Sequence, residues 1–272
     1  MSAPIGNLRA NRRGRAMAAP TDQGETDEGL GTRSGHSETF GEVLITATGI
    51  GVDASWGHIY GPVDLTVRAG GVTVLVGAGG RGRQALLLTL SGRMKPTTGR
   101  LEAFGRIDKP HHLFGQAAIA NVDEVDGIPQ TIRVHDIVTE QVRWAAKWYQ
   151  WVPQSTDEDL ERICRPVFGD YSLPTMDAMV EELPEFTAAL FRIAVANIRK
   201  PPLLVVGGVD TLASVEGSRR LRERLIALGA EQTVIMADVN GVEKQDGITD
   251  VIEVHNLTDH EFAVLEREVT GR

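Results

Sequence analysis

At 272 residues, with 42% hydrophobic and 24% charged side chains, the chain is long enough to bury one sizeable α/β core, and its net charge of −9 argues against a general nucleic-acid surface. A single Cys excludes an intramolecular disulfide. No apolar run approaches the roughly 18 residues that span a bilayer, and none opens the chain in the manner of a signal peptide, so the sequence reads as cytoplasmic.

Residues 1–40 are rich in Gly, Ser, Thr, Ala and charge with almost no large apolar side chains, and such a segment cannot repay the entropy of ordering. A disordered tail is predicted there, followed by one folded domain over residues 41–272. Arg9, Arg12, Arg13, Arg15 and Arg33 balance Asp22, Glu25, Asp27, Glu28 and Glu38, which leaves the net negative charge to the folded body. The arginines from Arg9 to Arg15 suit either a solvated tail or contact with anionic lipid.

Residues 42–48 and 63–67 read as strands of an antiparallel layer, with Val63, Leu65 and Val67 alternating as a half-buried strand requires. Residues 72–76 form a β-branched apolar run suited to a central strand, residues 84–90 an apolar helix, and residues 99–104 another edge strand. From residue 131 to 198 the pattern turns helical. Residues 203–206, 233–236 and 251–254 complete a parallel set. In the helical stretch Trp144, Trp148 and Trp151 fall at i, i+4 and i+7, a face that suits either the core or a partner's groove. Cys164 sits on a helical pattern as a small buried residue. His36, His58, His111, His112, His135, His255 and His260 show no metal-binding spacing, and no Ser-His-Asp arrangement is visible, so neither a metal site nor a catalytic set is assigned.

The most chemical stretch is Gly77-Ala78-Gly79-Gly80-Arg81-Gly82-Arg83-Gln84, set between the predicted central strand and helix. In the phosphate-binding pattern G-x-x-x-x-G-K-[ST], glycines let backbone N–H groups face phosphate oxygens, Lys reaches the β/γ-phosphates and the hydroxyl ligates Mg²⁺. Here Arg83 replaces Lys and Gln84 replaces Ser/Thr. The anion nest is kept and the magnesium ligand is lost; a glycine-rich turn with solvated arginines is the alternative.

Residues 61–71, the stretch from Leu90 through Pro96 to Gly99, and the run that opens with Leu183-Pro184-Glu185-Phe186-Thr187 and continues through Lys200, Pro201 and Pro202 into residues 203–206 are similar in order and spacing to landmarks of the ATP-binding-cassette (ABC) ATPase family. The resemblance covers about residues 42–258. It implies a P-loop α/β fold of ABC nucleotide-binding-domain type, with an antiparallel β layer and a helical subdomain at about 131–198. It also implies ATP as ligand, stacked on Trp56 or Tyr60, and partners in an integral membrane transporter subunit and a second ABC ATPase, either a copy of this chain or an intact paralogue, at the inner face of the membrane.

The family's chemical positions nevertheless differ. The signature Leu-Ser-Gly-Gly-Gln is Leu183-Pro184-Glu185-Phe186-Thr187, whose Glu185 would repel a γ-phosphate, and Walker B ends in Gly207-Gly208 in place of Asp-Glu. The switch histidine falls near Val239 and the Mg²⁺-sensing glutamine near Asp123. Gly82-Arg83-Gln84 with Gly207-Gly208-Val209-Asp210 resembles an eroded form of a divergent branch. Three readings follow: a subunit that binds ATP weakly, without Mg²⁺ and with little or no hydrolysis; an active transport ATPase using other residues, Asp210 the nearest; and a scaffold that binds no nucleotide.

Overall fold

The computed structural model describes residues 41–55, 57–122, 131–145, 154–242, 245–254 and 267. β1 (Val43–Ala54) and β2 (Gly57–Arg68) form a long antiparallel hairpin that overruns both strands predicted there. Along β2 Val63, Leu65 and Val67 are buried while Asp64 and Thr66 face outward, which is the period-2 alternation of a one-sided sheet. With β4 (Thr98–Ala103) and β5 (Arg106–Ile107) the order is β2-β1-β4-β5.

β3 (Val72–Val76), β6 (Ala117–Ala120), β7 (Leu203–Gly208), β8 (Thr233–Asp238) and β9 (Ile248–Glu253) make a parallel sheet ordered β6-β7-β8-β3-β9. Its inner strands are continuous apolar runs because both faces are covered. On one face Val74, Leu204, Val206, Val234 and Met236 join the core formed with α4 (Asp157–Phe168), α5 (Glu185–Ala196) and α6 (Val215–Gly229). On the other, Leu75, Leu203, Val205, Ile235 and Ala237 pack with α1 (Arg81–Leu90) and the antiparallel sheet. α2 (Pro110–Gln116) leads into β6, and α3 (Val134–Ala145) precedes α4.

β6 was not foreseen. Its sequence, Ala-Ala-Ile-Ala, carries little β propensity, and it becomes a strand through parallel pairing with β7, which buries all four residues. α1 begins at Arg81, three residues before the predicted start, so Arg81, Arg83 and Gln84 lie in its first turn. α5 stops at Ala196, short of Lys200, with Asn197 as its C-cap. Residues 1–40, Trp56, Asp123, Trp148, Trp151, His255 and His260 lie outside the described residues. Trp144 is not core: it is 69% exposed, with its Nε1 donating to Glu140 Oε1 at 3.2 Å. Tyr60 is not a free aromatic face either. It is fully buried, and its hydroxyl donates to Thr89 Oγ1 at 2.8 Å, so it cannot stack a base.

Burial raises the Cys164 thiol from its ordinary 9.0 to about 12, and raises the Tyr60 phenol from 10.0 to about 12 despite the hydrogen bond to Thr89. Both groups are therefore held neutral when folded. Their stabilisation is full below the unfolded-state values and is lost as pH rises from about 9 towards about 12. Melting temperature is expected to fall across that window, and Cys164 to resist maleimide at neutral pH until denaturant is added. Trp144→Ala is expected to change stability by no more than about 0.5 kcal/mol in urea titration.

Candidate functional site

The carboxyl ends of β3, β7 and β8 meet at one edge of the parallel sheet, the edge at which α/β folds place ligands. β3 runs into Gly77, whose N–H donates to Asp238 O at 3.2 Å, and the loop through Ala78, Gly79 and Gly80 then turns into α1. Gly80 has φ 117°, ψ −166°, a conformation that side chains oppose, so a glycine is needed to start α1 here. No acidic residue stands in the first turn of α1, so the unsatisfied amides there and the positive end of the helix dipole are not neutralised from within the helix.

Arg83 does not point away into solvent. Its Nη1 and Nη2 donate to Asp210 Oδ1 and Oδ2 at 2.9 and 3.0 Å, a two-pronged ion pair between side chains only 11% and 12% exposed. Asp210 reaches the loop because β7 passes directly into a 3₁₀ turn, Val209–Thr211, closed by Thr211 Oγ1 donating to Gly208 O at 2.8 Å. The turn folds the carboxylate back towards the strand end.

The two glycines at the end of β7 are each sterically required, by different neighbours. A Cβ on Gly207 would overlap the carbonyl oxygen of Asn121, at the end of the neighbouring β6. A Cβ on Gly208 would lie 2.5 Å from Arg83 Nη2 and 2.5 Å from Asp210 Oδ1, in the space that the ion pair occupies. Gly79 has the guanidinium on its other side, with Arg83 Nη2 3.3 Å from where a Cβ would stand.

A second ion pair locks the end of β8. Asp238 is fully buried, its Oδ2 accepting from Arg222 Nη2 at 2.8 Å and its Oδ1 from the Asn240 N–H at 2.9 Å. Neither residue was singled out from sequence. The signal was an acid closing an apolar buried strand, since a buried carboxylate requires a cation and donors. Val239 beside it is 43% exposed and offers only methyl groups towards Gly79. Glu185 at the start of α5 has its Oε2 engaged by the Ala213 N–H at 2.9 Å. Among the described residues no group of His, Cys, Asp and Glu could hold a metal ion.

No family model matches the chain. It is 26% identical over 183 residues to a putative ABC transporter ATP-binding protein of Streptomyces coelicolor, a match covering 66% of this chain and 31% of that protein. It is 30% identical over 89 residues to a cytochrome c biogenesis ATP-binding export protein of Cupriavidus pinatubonensis, covering 33% and 38%. These matches span about a third of the length of each relative. Among solved structures, cbiO1 from Clostridium perfringens, part of the ABC transporter complex cbiONQ, superimposes with a TM-score of 0.59 at 17% identity, over 84% of this chain and 93% of that one. An ATP-binding cassette in a dimeric post-hydrolysis state bound to ADP and Pi superimposes with a TM-score of 0.59 at 14% identity, over 78% and 94%. The chain is similar in sequence to ABC transporter ATP-binding proteins and shares the fold of ABC ATPase cassettes.

Its fold is the P-loop α/β fold of an ABC nucleotide-binding domain, in which Gly77, Ala78, Gly79, Gly80, Arg81, Gly82, Arg83 and Gln84 form the loop and first turn that join β3 to α1, and Gly207-Gly208 close β7. The structure brings Walker A together with Asp210 through Arg83. It leaves Arg81 exposed and gives Gln84 a place in the first turn of α1.

Because Gly207 lies against the β6 backbone, Gly207→Asp, which restores the Walker B carboxylate, is expected to cost at least about 2 kcal/mol in urea unfolding. Gly207→Ala should behave likewise. Gly115→Ala, with open space around it in α2, should be neutral or slightly stabilising.

Proposed function

We propose that this chain is the cytoplasmic nucleotide-binding-domain subunit of an ABC membrane transport assembly, that it binds nucleotide weakly and independently of Mg²⁺, and that it hydrolyses little or none. Residues 41–272 form the ABC domain, with a helical subdomain at about 131–198, and residues 1–40 a tail. The supporting observation is the Arg83–Asp210 pair standing over Gly207-Gly208. Phosphoryl transfer in P-loop enzymes depends on a cation on the β/γ-phosphates, on Mg²⁺ held by a hydroxyl and a Walker B carboxylate, and on a positioned water. Here the cation is occupied, the hydroxyl is an amide, and glycines fill both carboxylate positions.

The chain's own groups still suit a phosphate in part. The backbone N–H groups between Gly77 and Gly82 and the open first turn of α1 can cradle an anion. Arg83 can reach it only by leaving Asp210. Trp56 remains the candidate for stacking the adenine. Both oxygens of Asp210 are engaged by Arg83, which speaks against Asp210 as a metal ligand in an active ATPase. The partners in this reading are a separate integral membrane subunit and a second ABC ATPase, identical or intact; no described helix is long and apolar enough to cross a membrane.

The purified chain is expected to show no ATP turnover above background and weak, Mg²⁺-indifferent binding by calorimetry. Asp210→Ala should free Arg83 and tighten ATP binding by at least about tenfold, near 1.4 kcal/mol. That variant leaves a mostly buried charge unpaired, a change that costs about 3–5 kcal/mol in fully buried pairs. The double substitution Arg83→Met/Asp210→Leu should recover most of that stability without the tightening of ATP binding. Turnover at ordinary ABC rates that Asp210→Ala abolishes would establish the active-ATPase reading. No binding by either the native chain or Asp210→Ala would establish the scaffold.

A further inference from the structure

Away from the Walker A loop, a pocket of about 180 Å³ opens between the turn after α1, the β4–β5 hairpin and the start of α2. Its floor is apolar, formed by the buried side chains of Leu101, Ala103 and Leu113. Its rim carries Lys95, Arg106 and Lys109, all exposed. Among the described residues none of these three side chains has an ion pair or a hydrogen bond.

The one carboxylate at the rim does not serve them as a counter-ion by contact. Asp108 accepts the Leu101 N–H on Oδ1 at 3.0 Å, while its own N–H donates to Leu101 O at 2.7 Å, so it fastens the end of the hairpin. The walls are fixed by close backbone packing. A Cβ on Gly92, just after α1, would lie 2.5 Å from Pro110 O at the start of α2. The pocket is thus preformed, with an apolar floor and a few polar groups that converge at the mouth, as small-molecule sites are built.

We infer that this pocket binds a small organic anion with an apolar body, a carboxylate carrying a single ring or a branched chain. The volume suits that body, since an apolar cavity of about 150 Å³ accepts benzene. The floor withdraws the apolar part from water, and the anionic end meets the three rim cations, none of which has an ion-pair partner by contact. Inorganic phosphate would meet the same cations but leave the floor wet. A neutral ring would fill the floor and leave the cations uncompensated.

Benzoate, benzamide and inorganic phosphate, titrated into the full-length chain by ligand-observed NMR, test this. Benzoate is expected to bind at least about tenfold more tightly than either of the others, and more weakly at high salt, where exposed charges are screened beyond about 3 Å at 1 M. Arg106→Ala and Lys109→Ala, both on exposed side chains, should keep the native melting temperature and each weaken benzoate at least about threefold. Equal binding of benzamide would reduce the site to an apolar dimple, equal binding of phosphate would reduce it to a cation cluster, and no benzoate binding would end the proposal. ATP binding at Walker A should be unaffected by either substitution, so this result stands or falls apart from the function proposed above.

Discussion

The ion pair between Arg83 and Asp210 is the constraint on which the site depends. Taking either charge out of water alone costs several kcal/mol, so each of these largely buried groups requires the other. The guanidinium presents two parallel N–H donors in a rigid plane, and only a carboxylate delivered face-on satisfies both. The 3₁₀ turn after β7 delivers it, the hydroxyl of Thr211 closes that turn, and Gly79 and Gly208 leave room for the fork. A lysine at position 83 would offer a single point charge and no such plane.

The same pair sets how the loop meets a phosphate. Asp210 is a tethered anion, and a group held by a short stretch of its own chain acts at an effective concentration in the millimolar range. A nucleotide competing for Arg83 must exceed that advantage without Mg²⁺ to bridge its phosphates. What remains to attract it is the row of backbone amides and the positive end of α1, which act over a short distance and weaken with salt. The weak binding and absent hydrolysis proposed above would then have one origin.

Much of the frame was legible because burial leaves a plain trace. The runs in β3, β7 and β8 are apolar on both faces, and the glycine-rich loop announces a tight turn at a strand end. What was missed depended on three-dimensional placement. Asp210 lies beyond the end of the apolar run in β7, and nothing in the sequence shows that a 3₁₀ turn doubles the chain back to bring it onto Arg83. Tyr60 sits on a strand whose alternation did not reveal that its hydroxyl is received by Thr89 from α1. Trp144 lies on an apolar-looking stripe, yet nothing in the spacing shows which face α3 turns to solvent. β6 is invisible to propensity because its alanines are chosen by the closeness of β7 and its neighbours.

Read as separate losses, Gln84, Gly207 and Gly208 look like independent erosion of an ATPase. The packing ties Gly208 to the ion pair and Gly207 to the backbone at the end of β6. A Glu at position 208 would need its Cβ where Arg83 and Asp210 now meet, and an Asp at 207 would need β6 to withdraw by enough to free the Asn121 carbonyl. Either carboxylate could be accommodated only if the pair were dismantled or the strand moved at the same time, so the effects of such substitutions cannot add. Residues that act as a unit in catalysis are non-additive in the same sense, since restoring one recovers little while the others are missing. A loop that has turned its own cation inward is therefore separated from an active Walker site by several coordinated changes, each unfavourable when made alone.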